Sequence, residues 1–253
     1  MTADLAPSSS YLGPSIEGLG TALPPHRYDQ AELLTALRRI WQRHHFNEER
    51  LTRLHEAVQV GGRALALPIQ SYEALDGFGA ANEAFVSVAS DLSEASLRRA
   101  MDRAGVAPRD IDALFFTTVT GIATPSIDAH LVNRLSLRRD VKRVPMFGLG
   151  CVGGAAGLAR VADYLRGHPE DVAVLVSAEL CSLTLQRGDL SIPNFIATGL
   201  FGDGCASVVI SGARRADASR RRVRRRAPAG APQTAARGDL GGGGRGHRRK
   251  GGL

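Results

Sequence analysis

From residue 82 to residue 211, short runs of apolar and β-branched residues alternate with longer stretches whose apolar positions recur at helical spacing. This alternation constrains the fold more than any other feature. A strand that is apolar throughout must be covered on both faces, and interposed helices are what cover it. The pattern predicts an α/β fold with a largely parallel sheet. Helices are expected over Asn82 to Gly105, Asp128 to Leu137 and Gly153 to Gly167. Strands are expected over Asp110 to Val119, Val141 to Phe147, Asp171 to Leu180 and Ala206 to Ser211. Upstream, Ser15 to Leu23 reads as a first strand that Pro24-Pro25 stops. Leu33, Leu34, Leu37, Ile40 and Trp41 mark an amphipathic helix over Gln30 to Gln42, and a second is expected over Glu48 to Val60. Residues 1–13 are mostly small and polar and are expected to be flexible.

The charge divides the chain at the same place. The formal net charge is +7, which taken whole would suggest an acidic partner. Residues 212–253, however, carry +11, and residues 1–211 carry −4. Of those last 42 residues, 32 are Arg, Gly, Ala or Pro. Such a segment buries too little surface to offset its ordering entropy, so it is expected to be a disordered basic tail. Its composition is also that of GC-rich codons read out of frame, so the body at 14–211 is expected to be the first part of a longer protein. The runs Arg220-Arg221-Arg222 and Arg224-Arg225-Arg226 could grip phosphates. No aromatic residues interleave to stack bases, so specific nucleic-acid binding is not expected. No stretch is long and apolar enough to span a membrane, and the start does not read as a secretory signal. Three cysteines without metal-like spacing argue against a disulfide framework or a metal site, and a reduced cytoplasmic setting is expected.

The chemistry concentrates around residue 150. Gly148, Gly150 and Gly153 satisfy G-x-G-x-x-G between an expected strand and an expected helix, the context of a dinucleotide-binding turn. That motif wants an acidic residue at the end of the next strand. Asp171 begins that strand, and Glu179 lies rather far along it. The same turn supports a second reading. Cys151 sits where the strand becomes a helix, and a helix N-terminus offers free N–H groups and partial positive charge to a thiolate. Flanking glycines let a substrate approach the backbone. That arrangement suits a cysteine nucleophile for acyl transfer. A buried cysteine packed as a small hydrophobe is the third reading.

The segment Phe147-Gly148-Leu149-Gly150-Cys151-Val152-Gly153-Gly154-Ala155-Ala156-Gly157 resembles the nucleophile segment of type III polyketide synthases, the chalcone-synthase-like enzymes, and bacterial members above all. Three further stretches match in order. Thr117-Thr118-Val119-Thr120-Gly121 with Pro125 resembles the family's active-site strand and loop. Glu179 to Thr184 resembles the segment lining its starter pocket. Leu200-Phe201-Gly202-Asp203-Gly204 resembles its L-F-G-D-G turn. The resemblance runs from about residue 14 to residue 211. It implies a thiolase-like layered fold (αβαβα), of which this chain holds essentially the first half. It implies a homodimeric acyltransferase that takes acyl-CoA and malonyl-CoA as substrates and needs no cofactor and no metal. Carried over by position, Cys151 matches the nucleophile, Phe201 a gatekeeping aromatic, and Thr120, Cys181 and Thr184 cavity positions. Arg50 and Arg53 fall where the family places basic residues for the CoA phosphates, although the match is loose there and a solvated helix face is the better reading. Asp203 reads as a turn holder.

The family's catalytic His and Asn have no match. Only His168 and His247 follow Cys151, and no Asn follows Asn194. His168 is expected on the surface. The resemblance therefore implies a nucleophile without its general base, and a chain that is weakly active or inactive on its own. A ketoacyl synthase of fatty-acid type is the enzyme alternative, and a non-catalytic fragment with a nucleic-acid-binding tail is the other.

Overall fold

The computed structural model describes residues 13–42 and 46–216, so the expectations placed on residues 1–12 and on most of the basic tail lie outside the described residues. The strands are β1 (Ser15–Ala22), β2 (His26–Asp29), β3 (Gly62–Leu65), β4 (Ala113–Thr118), β5 (Lys142–Phe147), β6 (Val172–Leu180) and β7 (Asp203–Ser211). The helices are α1 (Gln30–Trp41), α2 (Glu48–Ala57), α3 (Gly77–Ala104), α4 (Ile127–Arg134), α5 (Gly153–Gly167) and α6 (Ile192–Leu200). Two 3-10 turns matter for the site, Gly150–Val152 and Cys181–Thr184.

Five strands form one sheet in the order β1-β7-β6-β4-β5. Every residue of β4 is buried, as its apolar run demands. Leu114 and Phe116 face α3 and α4, whereas Ala113 and Phe115 face α5. The largest helix, α3, lies across β1, β7 and β6. It approaches so closely that a Cβ at Gly18 would stand 2.2 Å from the Ala100 carbonyl, and one at Gly20 2.0 Å from that of Ser96. On the opposite face Val161 and Leu165 of α5 pack against Phe115, Ala173, Leu175 and Ile210. Beyond that contact, Leu158, Leu149, Val152 and Phe147 remain exposed.

The sheet is mixed rather than largely parallel. β4 runs parallel to β5 and β6, but β7 is antiparallel to both β6 and β1. The reason lies in the β6–β7 connection. A parallel return needs a crossover helix lying on the sheet. Here α6 packs against α2 instead, so the chain re-enters at the end it left and pairs Leu180 with Asp203.

That excursion belongs to a second layer, of which the sequence reading held α1 and α2 but not β2, β3 or α6. β2 and β3 form a two-stranded antiparallel sheet, and α1, α2 and α6 close around Trp41, Phe46, Leu51 and Phe195. The Trp41 and Phe195 rings stand 4.9 Å apart. Asp29 and Glu32 start α1 with a reciprocal capping box. Strands of four residues carry too few positions for a period to show, and α6 is apolar on most sides, which hides its helical spacing. At the far end of the body, Gly212 donates to Asp171 and Arg214 to Pro169, and Ala216 is buried.

Candidate active site

Cys151 occupies the 3-10 turn between β5 and α5. Gly148 and Gly150 flank it in left-handed conformation, with φ of 86° and 58°, which a side chain would strain. No side chain caps the start of α5, and the Gly153 N–H donates to the Gly150 carbonyl of the turn. Of the three cysteines Cys151 alone is exposed. Cys205 is buried beneath α3, where the Ser96 hydroxyl lies 3.1 Å from its sulfur, and burial pushes its thiol up. Cys181 is pushed up to about 12, chiefly by burial and then by the charges of Asp203 and Glu179. Cys151 itself lines neither of the two cavities described below.

Cys181 and Thr184 begin and end the 3-10 turn that follows β6. The Thr184 hydroxyl donates to the Cys181 carbonyl at 2.8 Å, which closes the turn. The turn is anchored from outside. Asp203 accepts the Ser182 N–H at 2.8 Å, the Ser182 hydroxyl, and the Ala66 N–H at 2.6 Å. The Tyr72 hydroxyl meets that of Ser182 at 2.5 Å, and burial pushes the phenol far above its ordinary range. Burial raises the Asp203 carboxyl too, against the pull of its donors and of Arg63. Asp203 thus holds a turn, as its place in the sequence suggested, and the turn it holds is a cavity wall.

Two cavities meet at Thr184. One is lined by Leu33, Leu37 and Leu65 on one side and by Cys181, Thr184 and Phe201 on the other. The second is lined by Thr120, Gly121, Phe78, Phe147, Thr184 and Leu185. Thr120 is fixed by a carboxylate. Its hydroxyl donates to Glu179 at 2.8 Å and accepts the Leu180 N–H at 2.9 Å. Glu179 also accepts the Val119 N–H, at 3.2 Å to each of its oxygens. This commits Glu179 to the cavity wall, while Asp171 is paired with Lys142 and Tyr164 at the other end of β6. Neither carboxylate is free for a nucleotide ribose, which removes the support for the dinucleotide reading.

Phe201 follows α6 directly, is 42% exposed and borders the first cavity. Arg50 and Arg53 lie together on α2, exposed to solvent. Neither lines these cavities, and Arg53 pairs at 3.8 Å with Glu49. His168 is on the surface, stacked on Tyr164 with the rings 4.3 Å apart. It lies at the opposite end of α5 from Cys151, and 15 helical residues at about 1.5 Å each separate them by roughly 22 Å. Among the described residues no histidine lines either cavity, and no cluster of His, Cys, Asp or Glu could hold a metal.

Sequence reasoning left Arg63 and Tyr72 without a place in this site, and gave Glu179 and Ser182 no role of their own within the segment that resembles the pocket lining. Arg63 carried a visible signal, a lone charge opening the apolar run Ala64-Leu65-Ala66-Leu67. Glu179 carried another, a carboxylate at the end of the most apolar strand.

Residues 13–214 match the family model described as "Chalcone and stilbene synthases, N-terminal domain". A 1,3,6,8-tetrahydroxynaphthalene synthase of Streptomyces peucetius subsp. caesius is 53% identical over 209 residues, covering 83% of this chain and 54% of that protein. A phloroglucinol synthase of Pseudomonas fluorescens is 32% identical over 190 residues, covering 74% of this chain and 53% of that protein. Among solved structures, the 1,3,6,8-tetrahydroxynaphthalene synthase of Streptomyces coelicolor A3(2), titled a bacterial type III polyketide synthase, superposes with a TM-score of 0.74 at 31% identity. That likeness covers 78% of this chain and 57% of that one. The chain spans about half the length of the curated relatives it matches.

Proposed function

The chain belongs to the chalcone and stilbene synthase family, through that family's N-terminal domain, and from this premise we propose that it carries the acyl-loading half of a type III polyketide synthase site. One observation carries the reading. The exposed thiol, Cys151, stands at the N-terminal end of α5, four residues after Phe147, which ends β5 and lines the second cavity with Thr120 and Thr184.

In this reading the Cys151 sulfur attacks the carbonyl of an acyl-CoA thioester. A new thioester forms on Cys151, and CoA leaves as its thiol. A malonyl-CoA unit then loses carbon dioxide, and the resulting carbanion attacks the carbonyl of the Cys151 thioester, so that a carbon–carbon bond forms, the Cys151 sulfur leaves as thiolate, and the extended chain is carried on CoA. Thr120, Cys181 and Thr184 shape the space into which the chain grows. Phe201 stands as the aromatic at its edge. Cys181 stays a protonated thiol, because burial and the neighbouring carboxylates of Asp203 and Glu179 oppose its ionisation. Arg50 and Arg53, both exposed on α2, are assigned to the CoA phosphates on the family's pattern. The family's dimer and its soluble setting enter on the same footing. Among the described residues no helix is long and apolar enough to cross a membrane.

His168 is too distant to serve as the base for Cys151, so loading on this chain proceeds without general-base assistance. The test is intact-mass and peptide mass spectrometry after incubation with aliphatic and aromatic acyl-CoAs. The expected result is a slow, substoichiometric acyl adduct on Cys151, absent from Cys151→Ala, and no released polyketide. Adduct on Cys181 or Cys205, adduct that survives Cys151→Ala, or none at all after prolonged incubation would overturn the reading.

A further inference from the structure

The segment from Gly199 to Asp203 is held at every point except where two side chains project from it. At its start, the guanidinium of Arg63 donates to the carbonyls of Thr198 and Gly199, the last turn of α6. Gln30 donates to the same Gly199 carbonyl at 3.2 Å. Cationic and amide donors are what a helix C-terminus accepts best, since its final carbonyls have no partner within the helix. A Cβ at Gly199 would lie 3.2 to 3.4 Å from the His55 ring, so the backbone rests on that imidazole. At its end, Asp203 is tied to Ser182 and Ala66. In between, a Cβ at Gly202 would lie 3.0 Å from Cβ of Arg63, so the stem of the same arginine also supports the ledge from below. Leu200 and Phe201 alone project, each 42% exposed.

Arg63 is itself only 8% exposed. A buried guanidinium needs its donors satisfied, and here helix-end carbonyls rather than an ion pair satisfy them. It touches neither Cys151 nor the Thr120 wall. Its contacts converge on the backbone that aims Phe201.

We propose that Arg63 is a positioning residue for Phe201: by capping α6 and underpinning Gly202, it fixes the ring at the cavity edge and so sets which electrophiles reach Cys151. The inference rests on the reading of Phe201 as the aromatic at the approach to Cys151. A planar fork caps two carbonyls at once, which a lysine ammonium on the same strand does not reproduce.

The test compares two probes of the Cys151 thiol on the full chain, with Cys181 and Cys205 labelling resolved by peptide mass spectrometry. Iodoacetamide is small enough to pass any gate, and N-(1-pyrenyl)maleimide is not. The readout is the ratio of their rates at Cys151. Phe201→Ala should raise that ratio for the bulky probe. A mispositioned ring worth about one hydrogen bond should shift it about five- to tenfold. Arg63→Ala should shift it in the same direction, Arg63→Lys nearly as much, and Arg63→Ala with Phe201→Ala no further than Phe201→Ala alone. Gly202→Ala, which wedges a methyl group against the Arg63 stem and leaves every charge in place, should do the same if the Arg63 variants fail to fold. Equal acceleration of both probes, or additive effects in the double variant, would assign Arg63 a merely structural role and overturn the proposal. A ratio untouched by Phe201→Ala would instead overturn the reading of Phe201 on which the proposal stands.

Discussion

Thr120 donates its hydroxyl to the Glu179 carboxylate at 2.8 Å, and this contact joins the end of β4 to the end of β6 across the candidate active site. The same carboxylate takes the Val119 N–H, and the same hydroxyl takes the Leu180 N–H. Two strand ends are thereby locked by one acid and one alcohol, both half-buried.

Removing the hydroxyl should be costlier than moving it. Thr120→Val leaves the Leu180 N–H without its partner and takes one of several donors from Glu179, a loss of about 1–3 kcal/mol in denaturant unfolding. Thr120→Ser keeps both bonds and should stay within about 1 kcal/mol of the parent. Equal stability of the two variants would show that the contact contributes nothing.

The three thiols should label in a fixed order. Cys151, exposed, reacts with iodoacetamide first at pH 8. Cys181 follows far more slowly, because at that pH a thiol pushed up to about 12 is almost entirely protonated. Cys205 reacts only when the protein unfolds, since it is buried under α3. Peptide mapping of timed samples checks the order, and comparable rates at Cys151 and Cys181 would contradict it.

His55 should make stability fall on acidification. Its ring lies 3.2 Å from the Gln30 amide and 3.4 Å from the Thr198 hydroxyl, and burial followed by the charge of Arg63 lowers it to about 4 from 6.5. Above pH 6.5 the ring is neutral in both states and its contribution is complete. Between 6.5 and about 4 the unfolded chain takes up a proton that the folded one refuses, so stability is lost as the pH falls through that window. Thermal melts of the parent and of His55→Gln from pH 7 to pH 4 should converge toward acid. Parallel curves would rule this out.

Gly157 should tolerate no side chain. It faces the sheet from α5, and a Cβ there would stand 2.7 Å from Leu175 Cδ1 and 3.3 Å from Met146 Cε. Gly157→Ala gains helix propensity but overpacks this contact, so a net loss of about 1–2 kcal/mol is expected. Gly154→Ala, with nothing within 4 Å, should instead stabilise the helix by up to about 1 kcal/mol. The two melting temperatures should move in opposite directions.

Much of the central layer was legible in the residues. The wholly apolar runs at β4 and β6 could only be strands covered on both faces, and α3 and α5 are where helical spacing put them. The turn carrying Cys151 was legible because left-handed glycines and a strand-to-helix junction leave local marks in sequence. What escaped was every feature that depends on the return path of the chain. The antiparallel β7 follows from α6 docking on α2 rather than on the sheet, and nothing local to β7 encodes that.

The sequence by itself determined the family, the order of the main strands and helices, and the glycine-rich turn that carries Cys151. Short-range pattern suffices for these, because periodicity and turn conformation are properties of neighbouring residues. Only the tertiary structure decided what surrounds that thiol. It brought Glu179 to Thr120 across 59 positions, and Arg63 to the end of α6 across 135 and more. Contacts of that separation are selected by burial, which makes each buried charge or hydroxyl seek a partner wherever the fold supplies one.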